Sequence, residues 1–138
     1  MNNSYVLWVD DDRFFLERSS ERLKWQGIKC RLVSSVDEAA EIMKNDYENI
    51  AGIIIDVMMD PGRLFAEREN ENGFRTGFLL YDYIRNKYGK GVSIIFLTNR
   101  EIKDLKYKDA KIYSKFNYRS NKLVKLIEKE FFSAKQGA

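Results

Sequence analysis

Five apolar runs divide the chain: VLWVDDD (6–12), IKCRLV (28–33), IIIDVMM (53–59), IIFLTNR (94–100) and YSKF (113–116), rich in β-branched and aliphatic residues. Runs of this length read as buried strands. Between them the apolar positions recur at helical spacing. Phe14, Phe15, Arg18, Leu23 and Trp25 occupy a first helical segment that ends at Gly27, a C-cap residue. Ser35 and Glu38 have the spacing of a capping box ahead of Ala39, Ala40, Ile42 and Met43, which predicts a second helix. Gly77 precedes FLLYDYIRNKY, where Phe78, Leu79, Tyr81 or Tyr83 and Ile84 form one face of a third helix, closed by Gly89 or Gly91. A last amphipathic segment over roughly 118–132 places Leu123, Leu126, Ile127 and Phe131 on one side. Alternating strands and helices predict βα units around a parallel sheet, an α/β fold with helices on both faces.

Four of the five runs stop at polar or charged residues, namely Asp10, Asp11, Asp12, Asp56, Thr98 and Lys115. In one parallel sheet these side chains emerge at the same edge, where open α/β sheets bind their ligands. Three of the carboxylates, Asp10, Asp11 and Asp56, repel one another, a strain that protonation or a cation relieves. An all-oxygen set of this kind suits Mg²⁺, with Mn²⁺ as a substitute. In a doubly wound sheet of order 2-1-3-4-5, Asp11 and Asp56 flank the switch point. A carboxylate beside a metal can act as a nucleophile toward a phosphoryl group. Lys115 then supplies a point charge and Thr98 a hydroxyl donor for phosphoryl oxygens.

Composition narrows the chemistry. Histidine is absent, which removes Ser-His and Cys-His nucleophile pairs, histidine metal ligands and a histidine phosphoacceptor. The one cysteine, Cys30, lies in a predicted strand and reads as a buried, reduced thiol. A chain of 138 residues suits one domain with a full core, and it has neither an apolar run of membrane-spanning length nor an export signal. The expectation is a soluble, cytoplasmic protein with no membrane partner. From residue 99 onward eleven Lys and Arg face five Asp and Glu, so the net charge of +3 is concentrated at the end of the chain. That asymmetry predicts a solvated helix face or a surface for an acidic partner; without a recognised DNA-binding element, direct nucleic-acid binding is not expected.

VLWVDDD, IIIDVMM, FLTNR and YSKF, in this order, resemble the receiver domain of bacterial two-component response regulators over essentially the whole chain. The resemblance implies a flavodoxin-like sheet of order 2-1-3-4-5, a receiver domain over 1–133 and a tail over 134–138. It implies Asp56 as phosphoacceptor, Asp11 and Asp10 as metal ligands (the latter largely through water), and the Met58 carbonyl as a further ligand. Thr98 becomes the switch hydroxyl and Lys115 the ion-pair partner of the phosphoryl group. The phosphodonor would be a histidine of a separate sensor kinase or phosphotransfer protein, and the chain would be no enzyme beyond slow hydrolysis of its own phosphoryl group. Its output partner is not specified.

The chain departs from that pattern in several places. Residues 60–76, DPGRLFAERENENGFRT, form an insertion after strand three, predicted to be an exposed, partly mobile excursion with a short helical turn around Leu64 to Arg68. Only sixteen residues separate Thr98 from Lys115, so a fourth helix must be short, over 101–107. Phe116 follows the lysine where the family has Pro, and Ile112 holds the usual aromatic switch position, with Tyr113 directed to the opposite sheet face. Asn99 replaces a small residue, and Met58 and Arg100 hold positions that tune phosphoryl lifetime. A phosphorylation-independent pseudo-receiver, signalling through the insertion or the basic face, is the alternative reading. A haloacid-dehalogenase-type phosphohydrolase, with its aspartyl nucleophile in a DxD after strand one, fits DDDRFF poorly.

Overall fold

The computed structural model describes residues 4–67, 75–99 and 111–132. Five parallel strands form one sheet: β1 (Tyr5–Val9), β2 (Cys30–Val33), β3 (Ile50–Ile55), β4 (Ser93–Thr98) and β5 (Lys111–Ser114), in the order β2-β1-β3-β4-β5. The helices are α1 (Arg13–Trp25), α2 (Val36–Asp46), α3 (Thr76–Tyr88) and α4 (Asn121–Ile127), the last running on into a π-helical turn at Glu128–Phe132. The predicted doubly wound fold is the observed one. The fourth predicted helix, over 101–107, and the 134–138 tail lie outside the described residues.

Strand periodicity divides the core into two layers. Leu7 and Val9 of β1, Ile53 and Ile55 of β3, and Ile94 and Phe96 of β4 face α2 and α3, packing on Met43, Phe78, Leu80 and Ile84. Val6, Trp8, Ile54, Ile95 and Leu97 face α1 and α4, against Leu16, Leu23, Leu123, Leu126, Ile127 and Phe131. The central strands are apolar on both faces because helices cover both. Within α3, Leu80 rather than Leu79 is fully buried, a one-residue rotation of the predicted face. Of the first-helix aromatics, Phe14 and Trp25 are 74% and 83% exposed, so only Phe15 of the three leans on the core. No described helix is long and apolar enough to cross a membrane.

Local chemistry sets the helix ends. Asp12 caps α1, its Oδ1 accepting from the Phe15 amide at 3.0 Å. Ser35 caps α2 through the Glu38 amide at 3.1 Å, with the Glu38 carboxylate reaching back to the Ser35 hydroxyl at 3.5 Å, as the capping-box spacing predicts. Among the described residues, no side chain caps α3. Instead the Gly77 amide donates to the Val57 carbonyl at 2.8 Å, and a Cβ on Gly77 would lie 2.3 Å from the Asp56 carbonyl oxygen. Only glycine lets this helix approach the loop that carries Asp56 so closely.

The insertion differs from its predicted form. Phe65 is fully buried, edge-on to Tyr83 at 6.2 Å, and Met59 is also in the core. The first half of the segment, 60–67, is thus a packed turn rather than a free excursion, because two apolar side chains repay its ordering. Residues 68–74 lie outside the described residues.

Candidate functional site

The parallel ladder continues one residue beyond three strands and so fixes the backbone of Asp10, Asp56 and Lys115 at the sheet edge. The Asp10 amide donates to Val33 O at 3.1 Å, Asp56 to Val9 O at 3.0 Å and Lys115 to Thr98 O at 3.0 Å. Strand β5 ends at Ser114, two residues earlier than the YSKF run predicts, so Lys115 lies just beyond it. Thr98 ends β4, buried beside this edge.

The three carboxylates converge. One oxygen each from Asp10, Asp11 and Asp56 lies within 4.8 Å of the others, with Asp10 and Asp56 buried and Asp11 exposed. The buried Lys115 ammonium bridges the inner pair, 2.6 Å from Asp10 Oδ2 and 3.2 Å from Asp56 Oδ2. It also sits 4.3 Å above the Phe15 ring, which in turn meets Trp8 edge-on at 5.7 Å. Asp10 Oδ1 accepts from the Asp12 amide at 2.9 Å. Among the described residues, Asp56 Oδ1 is buried with no hydrogen-bond partner.

Burial, then the neighbouring Asp56 charge, pushes the Asp10 carboxyl up to about 7 against the pull of Lys115. The same two causes, in the same order, raise Asp11. Burial disfavours the Lys115 charge, but the Asp56 and Asp10 carboxylates outweigh it and hold the ammonium above the ordinary lysine value. A carboxyl raised on folding stabilises the fold fully below its unfolded value near 4, and that contribution is lost as pH rises through about 7. Metal-free protein should therefore lose stability between pH 5 and 8 through Asp10, a loss that Asp10→Asn removes in denaturant titrations at the two pH values. An identical slope in both proteins would contradict this electrostatic picture.

An oxygen-only donor set with excess negative charge and an unpartnered buried Asp56 oxygen fits a hard divalent cation such as Mg²⁺ or Mn²⁺. The Asp10, Asp11 and Asp56 carboxylates would hold it, with the carbonyl of the half-exposed Met58 two residues beyond Asp56 in the chain. Of the residues singled out from the sequence, the structure brings Asp10, Asp11, Asp56 and Lys115 together, with Thr98 buried at the end of the neighbouring strand. Sequence reasoning missed Phe15 as the aromatic wall of Lys115 and Asp12 as a helix cap; the Asp12-to-Phe15 spacing was the available signal for the latter.

Ile112 packs in the α2/α3 layer and Tyr113 in the α1/α4 layer, as strand alternation predicts. The Tyr113 hydroxyl donates to Glu130 beyond α4, and its ring meets Tyr118 edge-on at 5.1 Å. Cys30 is half-buried, and burial pushes its thiol up to about 12, which disfavours the thiolate.

No model of a known protein family matches this chain, and no curated protein does. Solved structures do. The signal receiver domain of a Luxo repressor protein from Vibrio parahaemolyticus matches with a TM-score of 0.72 and 17% identity, over 99% of this chain and 95% of that one. A response regulator receiver domain protein from Clostridium thermocellum matches with a TM-score of 0.69 and 17% identity, over 98% and 99% of the two chains. The response regulator TrrA from Thermotoga maritima, in complex with Mg²⁺-BeF, matches with a TM-score of 0.65 and 25% identity, over 91% and 97%. The chain has the fold of response-regulator receiver domains over its full length.

Proposed function

We propose that this receiver-type fold is a phosphoacceptor switch, taking a phosphoryl group on Asp56 from a histidine of a separate sensor kinase or phosphotransfer protein. The observation that carries this reading is the convergence of the Asp10, Asp11 and Asp56 carboxylates with the Lys115 ammonium at one sheet edge. A structural ion pair needs one carboxylate, not three. The chain has no histidine of its own to act as donor.

In this reading an Asp56 oxygen forms the new P–O bond as the donor's P–N bond breaks, the imidazole nitrogen leaving with the electron pair and taking up a proton. Bound Mg²⁺ would neutralise the carboxylates and the charge on the phosphoryl oxygens, held by Asp10, Asp11, Asp56 and the Met58 carbonyl. Lys115 moves its charge from the carboxylate pair to the phosphoryl group, and Thr98 donates its hydroxyl there. The protein acts on no other substrate; hydrolysis of its own acyl phosphate resets it. The output partner binds a surface that these two movements change, and it lies in the cytoplasm with the kinase.

Trp8 meets Phe15, which lies against Lys115, and so should report on the site, whereas Trp25 is exposed at the far end of α1. In a Trp25→Phe background, Mg²⁺ should change Trp8 fluorescence saturably, and beryllofluoride should change it further only when Mg²⁺ is present. Folded protein that binds Mg²⁺ but ignores beryllofluoride would favour a phosphorylation-independent module. One observation supports that second reading: with Ile112 at the switch position and Tyr113 tied to Glu130, no aromatic side chain of β5 is placed to follow Thr98.

A further inference from the structure

The inserted turn after β3 is fastened to the start of α2 by one side chain. Asp37, in the first turn of α2, accepts the Arg63 amide on Oδ2 and the Leu64 amide on Oδ1, both at 2.9 Å. The turn is shaped for this grip. Gly62 has φ +61°, a left-handed conformation that suits glycine, and a Cβ there would lie 2.7 Å from Asp37 Oδ2. Asp60 Oδ1 accepts the Gly62 amide at 2.7 Å, the Phe65 amide donates to Pro61 O at 3.1 Å, and Phe65 is driven into the core beside Tyr83.

The consequence reaches the acidic site. Residues 57–59 lie between two fixed points: Gly77 of α3 bonded to the Val57 carbonyl on one side, and the Asp37-bound turn four residues beyond Met59 on the other. Val57 and Met59 are buried, so Met58 alone projects outward from this short span. A backbone held at both ends and by two core side chains presents its carbonyls in one geometry.

We propose that Asp37 is a positioning residue for the metal site: by clamping the inserted turn it fixes the 57–59 backbone and hence the Met58 carbonyl. This rests on the receiver reading in its metal arm only. The insertion thus belongs to the frame of the phosphorylation site, and α2 becomes mechanically linked to it. No contact with the metal is required of Asp37.

The test compares the full chain with Asp37→Ala, Asp37→Asn and Ser35→Ala, the last weakening the same helix end without touching the clamp. Hydrogen exchange is read by mass spectrometry on peptides covering 57–65, and Mg²⁺ affinity by calorimetry. Asp37→Ala should speed exchange across 57–65 by about tenfold or more, the loss of two charge-assisted bonds. It should weaken Mg²⁺ by about tenfold, as loss of a supporting shell does. Asp37→Asn, with one carbonyl acceptor left, should fall between, and Ser35→Ala should match wild type in both readouts. If Asp37→Ala changes only 63–65, or if Ser35→Ala shifts both readouts equally, the clamp does not position the site. Wild type that binds no Mg²⁺ would sink the receiver reading, while the exchange arm would still decide the clamp.

Discussion

Lys115→Ala should make the folded state depend on metal. In the structure this ammonium is the cation shared by two buried carboxylates, at 2.6 Å from Asp10 and 3.2 Å from Asp56. Removing one partner of a buried ion pair costs about 3–5 kcal/mol, because the remaining charge is left uncompensated. Part of that cost is avoided when Asp10, already raised to about 7, takes up a proton, so the loss should be larger at pH 8 than at pH 6. Mg²⁺ should restore stability, since a divalent cation meets the same oxygens. The variant should also bind Mg²⁺ about tenfold more tightly or better, because the native lysine competes for Asp10 and a tenfold change needs only about 1.4 kcal/mol. Thermal unfolding in chelator and in excess Mg²⁺ checks the first part and calorimetry the second. Unchanged affinity would mean that Lys115 leaves Asp10 at no cost.

Gly77→Val should be the most damaging single apolar substitution near the site. The first added carbon would lie 2.3 Å from the Asp56 carbonyl oxygen and 2.6 Å from the Val57 Cα, both backbone atoms that no rotamer change can move. Relief requires α3 to withdraw, which exposes Phe78, Leu80 and Ile84 and breaks the Gly77 to Val57 hydrogen bond. The expected loss is about 4–5 kcal/mol, at the extreme for one substitution. Gly91, which has open space around its Cβ position, is the control: Gly91→Ala should be nearly neutral in urea titrations. A mild effect at Gly77 would show that α3 can move freely against the Asp56 loop.

Those two positions show what the sequence could reveal. Lys115 and the aspartates were legible because each follows an apolar run, and parallel topology carries run ends to one edge. Gly77 was legible as the residue that opens α3, although the reason, a close backbone approach, is a tertiary fact. Phe65 was not legible: within a charged, Asn-Gly-containing stretch a lone apolar pair, Leu64 and Phe65, looks like surface, and only Tyr83 and the Asp37 grip explain the burial of the ring. Asp37 itself reads as an ordinary first-turn acid of α2, and nothing in its local pattern announces a bond 26 residues away. The exposed Phe14 and Trp25 likewise matched a helical period without belonging to its buried side. Local periodicity locates elements; long-range side-chain to backbone bonds lie outside its reach.

The central claim is that Asp56 accepts a phosphoryl group. Intact-protein mass spectrometry after incubation with Mg²⁺ and acetyl phosphate or phosphoramidate, for wild type and Asp56→Asn, addresses it directly. The account predicts one phosphoryl adduct on wild type, dependent on Mg²⁺ and absent from the variant. An adduct that persists in Asp56→Asn, or none on folded, Mg²⁺-bound wild type, would contradict it.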